Sequence, residues 1–228
     1  MRKVLIAIAL IVIVALGIGI FWVATSGNSE ATRDVTAENV TGVGQTYEID
    51  GQASEARFII TEDLRGVPTT VIGKTNDIAG IILINLADPA ASELGTIEIS
   101  ARTLVTDNNF RNTALRRDIL QSGNDDFEFI RFEATEITGL PETVALGDEV
   151  SFQVSGNLII KNISQPATFD VTLTVAEESL IGSATTTVNR NDYEITIPNA
   201  PGVANVAETV DLELDFVAPK QTSNATGS

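Results

Sequence analysis

The chain has 228 residues with no cysteine and no histidine, and 14 basic against 31 acidic residues give it a formal net charge of −17. The missing residue types exclude disulfides, thiolate and ordinary zinc sites, histidine-based catalytic triads and a lipid-modified cysteine. So acidic a chain is a poor partner for nucleic acid and would repel anionic headgroups, while the plainer account of its charge is solubility.

The first element is Val4–Ala24 (VLIAIALIVIVALGIGIFWVA), which carries no charge. As a helix rising about 1.5 Å per residue it would span about 30 Å, the thickness of a bilayer core. It is longer than the apolar region of a cleaved secretory signal and ends in Phe21 and Trp22, which favours a retained transmembrane anchor over residues 1–25. Cleavage near Ala24 to Gly27, releasing a secreted domain, is the competing reading. Arg2 and Lys3 precede the run, so the positive-inside rule predicts a single-pass cell-membrane protein with its C-terminal part outside the cytoplasm. Residues 26–50 are rich in Thr, Ser, Gly, Asn and Glu without helical or strand period, and read as a flexible linker. Gly42-Val43-Gly44 within them lacks the strand and helix that a nucleotide loop needs.

A domain is expected over 51–220, followed by a disordered tail, 221–228. From Ala56 the period becomes two, the mark of half-buried strands. Strands are expected over Ala56–Asp63, Val71–Thr75 and Ile78–Leu86, and then Ile97, Ile99 and Ala101 alternate with Glu98, Ser100 and Arg102. The segment Asp107–Ser122 switches to helical spacing, with Phe110, Ala114, Leu115 and Ile119 apolar and Asp107 suited to the N-cap. Asn124-Asp125-Asp126 fits no calcium loop, because phenylalanine stands where the frame needs other residues, and it reads as a polar turn. Ile130, Phe132 and Ala134 form the next apolar face, then Phe152, Val154, Leu158 and Ile160 across Gly156, and then Ala167, Phe169, Val171, Leu173 and Val175. A weaker strand covers Leu180–Val188. Last, Val210, Leu212, Leu214 and Phe216 alternate with Asp211, Glu213 and Asp215, one apolar face against one acidic face.

Eight or nine strands joined by short turns predict an all-β fold, an antiparallel barrel or sandwich, with one short helix closing an end or packed outside. The inward residues are Phe58, Ile60, Ile97, Ile99, Phe110, Leu115, Ile119, Ile130, Phe132, Phe152, Leu158, Ile160, Phe169, Val171, Leu173, Leu212 and Leu214. Two readings of them stand: side chains filling a dry core, or the lining of a hollow that takes an apolar chain. Arg111, Arg116 and Arg117 form a basic cluster, read either as a solvated helix face or as contacts to a ligand headgroup. The glycosylation-type tripeptides at Asn39, Asn162 and Asn224 are given no role.

From Ala56 to Lys220 the chain resembles the YceI-like family of extracytoplasmic lipid-binding domains. The stretch ARFIITEDLRGVPTTVIGKTNDIAGIILI looks like the family's opening. RNTALRRDILQS followed by FEFIRFEATEITGLP resembles its charged helix and next strand, and VSGNLIIKNISQPATFDV is similar to its G-x-L-T-I-x-G-x-T-x-P-V signature. Asn162 and Glu194 stand where the family usually has glycine, Ile159 where it has threonine, and Glu128 where proline commonly follows an aromatic. The resemblance implies an extended, lipocalin-like antiparallel β-barrel of about eight strands holding a polyisoprenoid chain, such as an isoprenoid quinone or a prenyl phosphate.

The expected function is therefore a membrane-tethered extracytoplasmic lipid-binding protein, for carriage or sequestration. It would have no catalytic residue, no metal and no cofactor beyond a bound isoprenoid lipid or quinone. Its partners would be the lipid, the membrane through the N-terminal helix, and a second copy in a homodimer. The alternative is a structural or adhesive envelope module with a solid β core. An enzymatic reading would need two carboxylates converging in a pocket.

Overall fold

The computed structural model describes residues 33–221, all but the first of which belong to one compact unit, Asp34–Ser228. The expected anchor, the first part of the linker and all but the first residue of the tail lie outside the described residues. Among the described residues, no helix is long and apolar enough to cross a membrane.

Period-two sequence becomes antiparallel sheet. One ten-stranded sheet runs in the order β3 (Val67–Thr75), β2 (Glu55–Leu64), β13 (Thr209–Pro219), β11 (Ser179–Asn189), β10 (Ile163–Val175), β9 (Glu149–Ile160), β8 (Phe129–Thr138), β7 (Ile97–Ser100) and β4 (Ile78–Ala79), with β12 (Val203–Ala204) on the end of β2. The sheet curls into a nearly closed barrel. Its terminal strands β3 and β4 are joined by Asn76 and Asp77 instead of a ladder, and a single bridge from Lys74 to Val105 lies beside this seam.

A second sheet, β1 (Gln45–Glu48), β5 (Ile81–Ile84) and β6 (Glu93–Leu94), packs at the end where β13 finishes, tied by the Tyr47–Lys220 bridge. This corrects the expected linker boundary. Residues 45–50 are structured, and Tyr47 and Ile49 are buried, because β5 would otherwise leave an open edge. Earlier still, the backbone N–H of Thr36 donates to Glu98 and the Thr96 hydroxyl to Glu38. Gln221, expected in the tail, donates its backbone N–H to Thr46.

The expected strand Ile78–Leu86 is two strands parted at Gly80, where a Cβ would collide with the side chain of Ile97. The expected helix is also divided, into α1 (Asn109–Ala114) and a π-helical turn, Leu115–Ile119. Its N-cap is Asn108 rather than Asp107: the Asn108 side chain accepts from the N–H groups of Phe110 and Arg111, while the Asp107 carboxylate pairs with the Arg111 side chain.

Turn chemistry accounts for two departures from the family pattern. Asn162 has φ +60° and Glu194 φ +51°, the left-handed region in which glycine is easiest and asparagine tolerable. Lys161 and Asn162 together make the tight hairpin between β9 and β10.

Three glycines explain why the interior is not filled. Gly73 sits directly opposite Phe58, and Gly182 opposite Phe216, and at each the phenyl ring occupies the space a Cβ would need. Gly156 receives the ring of Phe132 in the same way. Rings that lie against the wall do not project into the middle of the barrel.

Candidate functional site

The barrel encloses a cavity of about 950 Å³. That volume is near the upper end of small-molecule sites, and well above the void of a packed core. Its wall comes from the inward faces of the strands: Phe58 and Ile60 on β2, Ile97 and Ile99 on β7, Ile130 and Phe132 on β8, Phe152, Leu158 and Ile160 on β9, Phe169, Val171 and Leu173 on β10, and Leu212 and Leu214 on β13. Phe110, Leu115 and Ile119 from α1 and its π turn border it too, so every apolar residue expected to face inward borders the cavity. Phe110 does so from the rim, where it is 91% exposed. The rings of Phe132 and Phe169 meet edge to face at 4.8 Å, a favoured aromatic geometry.

A register shift in β8 between Ala134 and Glu136 passes the inward face from even to odd positions, so Ile137 borders the cavity and Ala134 does not. Alternation alone could not reveal this. Nor did it reveal the segment between the 3-10 turn Arg190–Tyr193 and β13, where Ile195, Ile197 and Val206 border the cavity outside any strand and Val203 does so from the two-residue β12.

The polar groups at the cavity are few. Glu62, on the inward face of β2, is buried, and its carboxylate takes the Arg111 guanidinium at 3.0 Å. Arg111 also pairs with Asp107, so its charge is matched on both sides. This contact fixes the start of α1 over the end of β2, which makes the helix a closure of the barrel. Arg116 and Arg117, read beside Arg111 either as a solvated helix face or as headgroup contacts, do not border the cavity; both are exposed and Arg117 pairs with Asp118 at 2.9 Å. A helix has one inward face, and Leu115 occupies it there.

Two further polar residues were missed by the sequence reading. Tyr193 borders the cavity and is 1% exposed. Burial, with Asp192 beside it, pushes its phenol up to about 12, so at neutral pH it is a fixed O–H donor. Arg190, one turn earlier, also borders the cavity. It donates from Nε to Ala207 O at 3.0 Å, and from Nη1 to Ile195 O at 2.9 Å and to Asn191 Oδ1 at 3.1 Å, which holds the irregular segment against the barrel.

Other charges are paired between neighbouring strands and at the seam, Arg57 and Glu213 among them also bordering the cavity. Arg57 ties the acidic face of β13 to β2, reaching Glu213 at 2.9 Å, Asp215 at 2.6 Å and Glu55 at 3.1 Å. A hydrogen bond from Lys74, then Arg57, holds the Glu55 carboxyl below its usual range. Near the seam Arg102 and the wholly buried Glu128 pair at 3.3 Å, and burial, with Asp34 and Glu128 nearby, raises the Asp77 carboxyl. Among the described residues no group of three or more acidic side chains is placed to hold a metal ion.

Comparison with known proteins agrees with this architecture. The model of the YceI-like domain matches residues 47–218, most of the chain. The chain belongs to the YceI-like family. The YceI-like match begins at Tyr47, inside β1, in keeping with the corrected boundary. No curated protein matches the chain.

Among solved structures, a polyisoprenoid binding domain from Saccharophagus degradans, described as implicated in plant cell wall breakdown, superposes with a TM-score of 0.60 at 14% identity over 78% of this chain and 99% of its own. BcnA of Burkholderia cenocepacia gives 0.58 at 16% identity, covering 74% and 98%. The YceI protein of Campylobacter jejuni gives 0.52 at 16% identity, covering 66% and 85%. At such identities the likeness is one of fold.

Proposed function

We propose that this YceI-like protein holds a long apolar lipid of the polyisoprenoid type inside its barrel, for carriage or sequestration, and that it performs no chemistry on it. The observation that carries the reading is the cavity of about 950 Å³ walled by Ile, Leu, Val and Phe side chains. Each CH₂ of a tail that leaves water for such a wall gains about 0.8 kcal/mol, so a few isoprene units outweigh the cost of ordering the chain. The Saccharophagus degradans domain of the same fold, described as binding a polyisoprenoid, supports the ligand class.

The alternative of a solid-core envelope module asks for a filled interior, which a cavity of this volume argues against. An enzymatic reading asks for two free carboxylates facing each other, whereas Glu62, the buried carboxylate at this cavity, is taken by Arg111. The proposal includes retention at the outer face of a cell membrane by Val4–Ala24, on the strength of that apolar run and of Arg2 and Lys3 before it.

Mass spectrometry of organic extracts tests this on full-length protein purified from its native membrane. An isoprenoid is expected in stoichiometric amount, and its loss in Leu173→Asp. A lipid-free extract from the wild-type protein overturns the reading.

A further inference from the structure

Arg190 and Tyr193 lie at opposite ends of one 3-10 turn. With three residues per turn, side chains three apart eclipse, so these two project from the same side of it, and both border the cavity. The Tyr193 hydroxyl has no hydrogen-bond partner among the described residues, although the residue is 1% exposed. Among the described residues the one fully buried side-chain atom without a partner is Ser100 Oγ, so the Tyr193 hydroxyl keeps accessible surface from which it can donate to a ligand.

The charge beside it is also open. Arg57 faces three carboxylates and Arg111 two, but Arg190 meets neutral oxygens only, and among the described residues no carboxylate lies within ion-pair distance of it. Its Nη2 makes no hydrogen bond among the described residues. In a protein of net charge −17, cations at the cavity wall without a carboxylate in ion-pair distance are few, and among the described residues they are Arg190 and Arg65. The pair offers a guanidinium N–H and a phenol O–H as donors, with the phenol oxygen as its one acceptor, and a hydrogen bond from a guanidinium to an ionised oxygen is roughly twice as strong as a neutral one.

We propose that the turn Arg190–Tyr193 is a head-group subsite for an acceptor-only, anionic group, the phosphate of a long-chain lipid whose tail occupies the barrel. The inference rests on the cavity being a lipid site and deepens it. Arg190 supplies charge and direction, Tyr193 a second donor, and the irregular segment from Glu194 to Glu208 covers the occupied subsite. Arg111, with its charge already matched, serves closure instead.

The test measures binding of geranylgeranyl monophosphate, geranylgeraniol and inorganic phosphate to the full-length chain by calorimetry. The monophosphate is expected to bind at least tenfold more tightly than the alcohol. Tyr193→Phe, which keeps the packing, and Arg190→Gln should each reduce that preference to below threefold. Equal affinities in the wild type, or a preference that survives both substitutions, overturn the subsite while leaving the cavity reading in place. Inorganic phosphate binding as tightly as the monophosphate overturns the lipid assignment of the subsite, and failure of both isoprenoids to bind overturns the cavity reading along with it.

Discussion

The run of long hairpins β8 to β11 with β13 and the seam between β3 and β4 are built on different principles. In the first, registers continue for up to a dozen residues, and apolar and polar faces alternate. In the second, β3 keeps nine pairs with β2, but on the β4 side the ladders shrink to two or four residues, and side-chain contacts take over: the Thr75–Thr103 hydroxyl pair, the Arg102–Glu128 pair and the Arg111–Glu62 latch. A ladder holds shape by many equivalent bonds, so it makes a rigid container. A seam closed by a few polar contacts can open locally without unfolding the remainder.

Substitutions can break or sharpen this contrast. The largest effect is expected from Leu173→Asp in the ladder half, where a carboxylate in an apolar wall should cost about 4 kcal/mol and lower the denaturation midpoint of the whole domain. Gly156→Ala should cost about 3 kcal/mol in the same global transition, since its Cβ would meet Glu133 O across the ladder as well as the ring of Phe132. Arg111→Ala leaves Glu62 buried without its partner, for about 2 kcal/mol. Here the contrast is sharpest: hydrogen exchange should accelerate in Asn109–Ile119 while β9 to β11 keep their protection, and uniform acceleration would refute the division.

Smaller effects depend on pH. The folded state raises Tyr193 from an ordinary 10.0 to about 12, so it binds that proton more tightly than the unfolded chain. The resulting stability is complete below pH 10 and disappears as pH rises through about 12. Tyr193→Phe should flatten this alkaline decline, with a residual slope from Tyr47, which is also raised. Glu55 has the opposite sign. Its lowered carboxyl adds stability above the ordinary carboxylate range that is lost as pH falls through the folded value, so Glu55→Gln should cost about 0.5 kcal/mol at neutral pH and nothing in acid.

The same division separates what was legible in the sequence from what was not. Alternation at Phe169, Val171 and Leu173, and at Leu212 and Leu214, located the inner wall because one rule governs the whole ladder. Across the seam the rule fails. Gly80 parts β4 from β5 for want of room beside Ile97, and Asn108 takes the cap that Asp107 could have filled; within the ladder half the one exception is the Ala134/Glu136 bulge of β8, which moves the inward face by one residue. Tyr193 and Arg190 were illegible for a related reason. A single turn of 3-10 helix has no period to detect, and their importance comes from β13 and the segment before it passing alongside.

Among the three glycines that receive phenyl rings, Gly73 differs from the others. At Gly156 and Gly182 a backbone oxygen also stands in the way of a side chain, whereas at Gly73 the obstruction is the ring of Phe58 alone. The calibre of the lumen is thus adjustable at a residue of the inner face that does not itself border the cavity. A methyl group at residue 73 would swing the Phe58 ring toward the barrel axis, narrow the bore and shorten the chain it admits, with every ligand-facing residue left as it was.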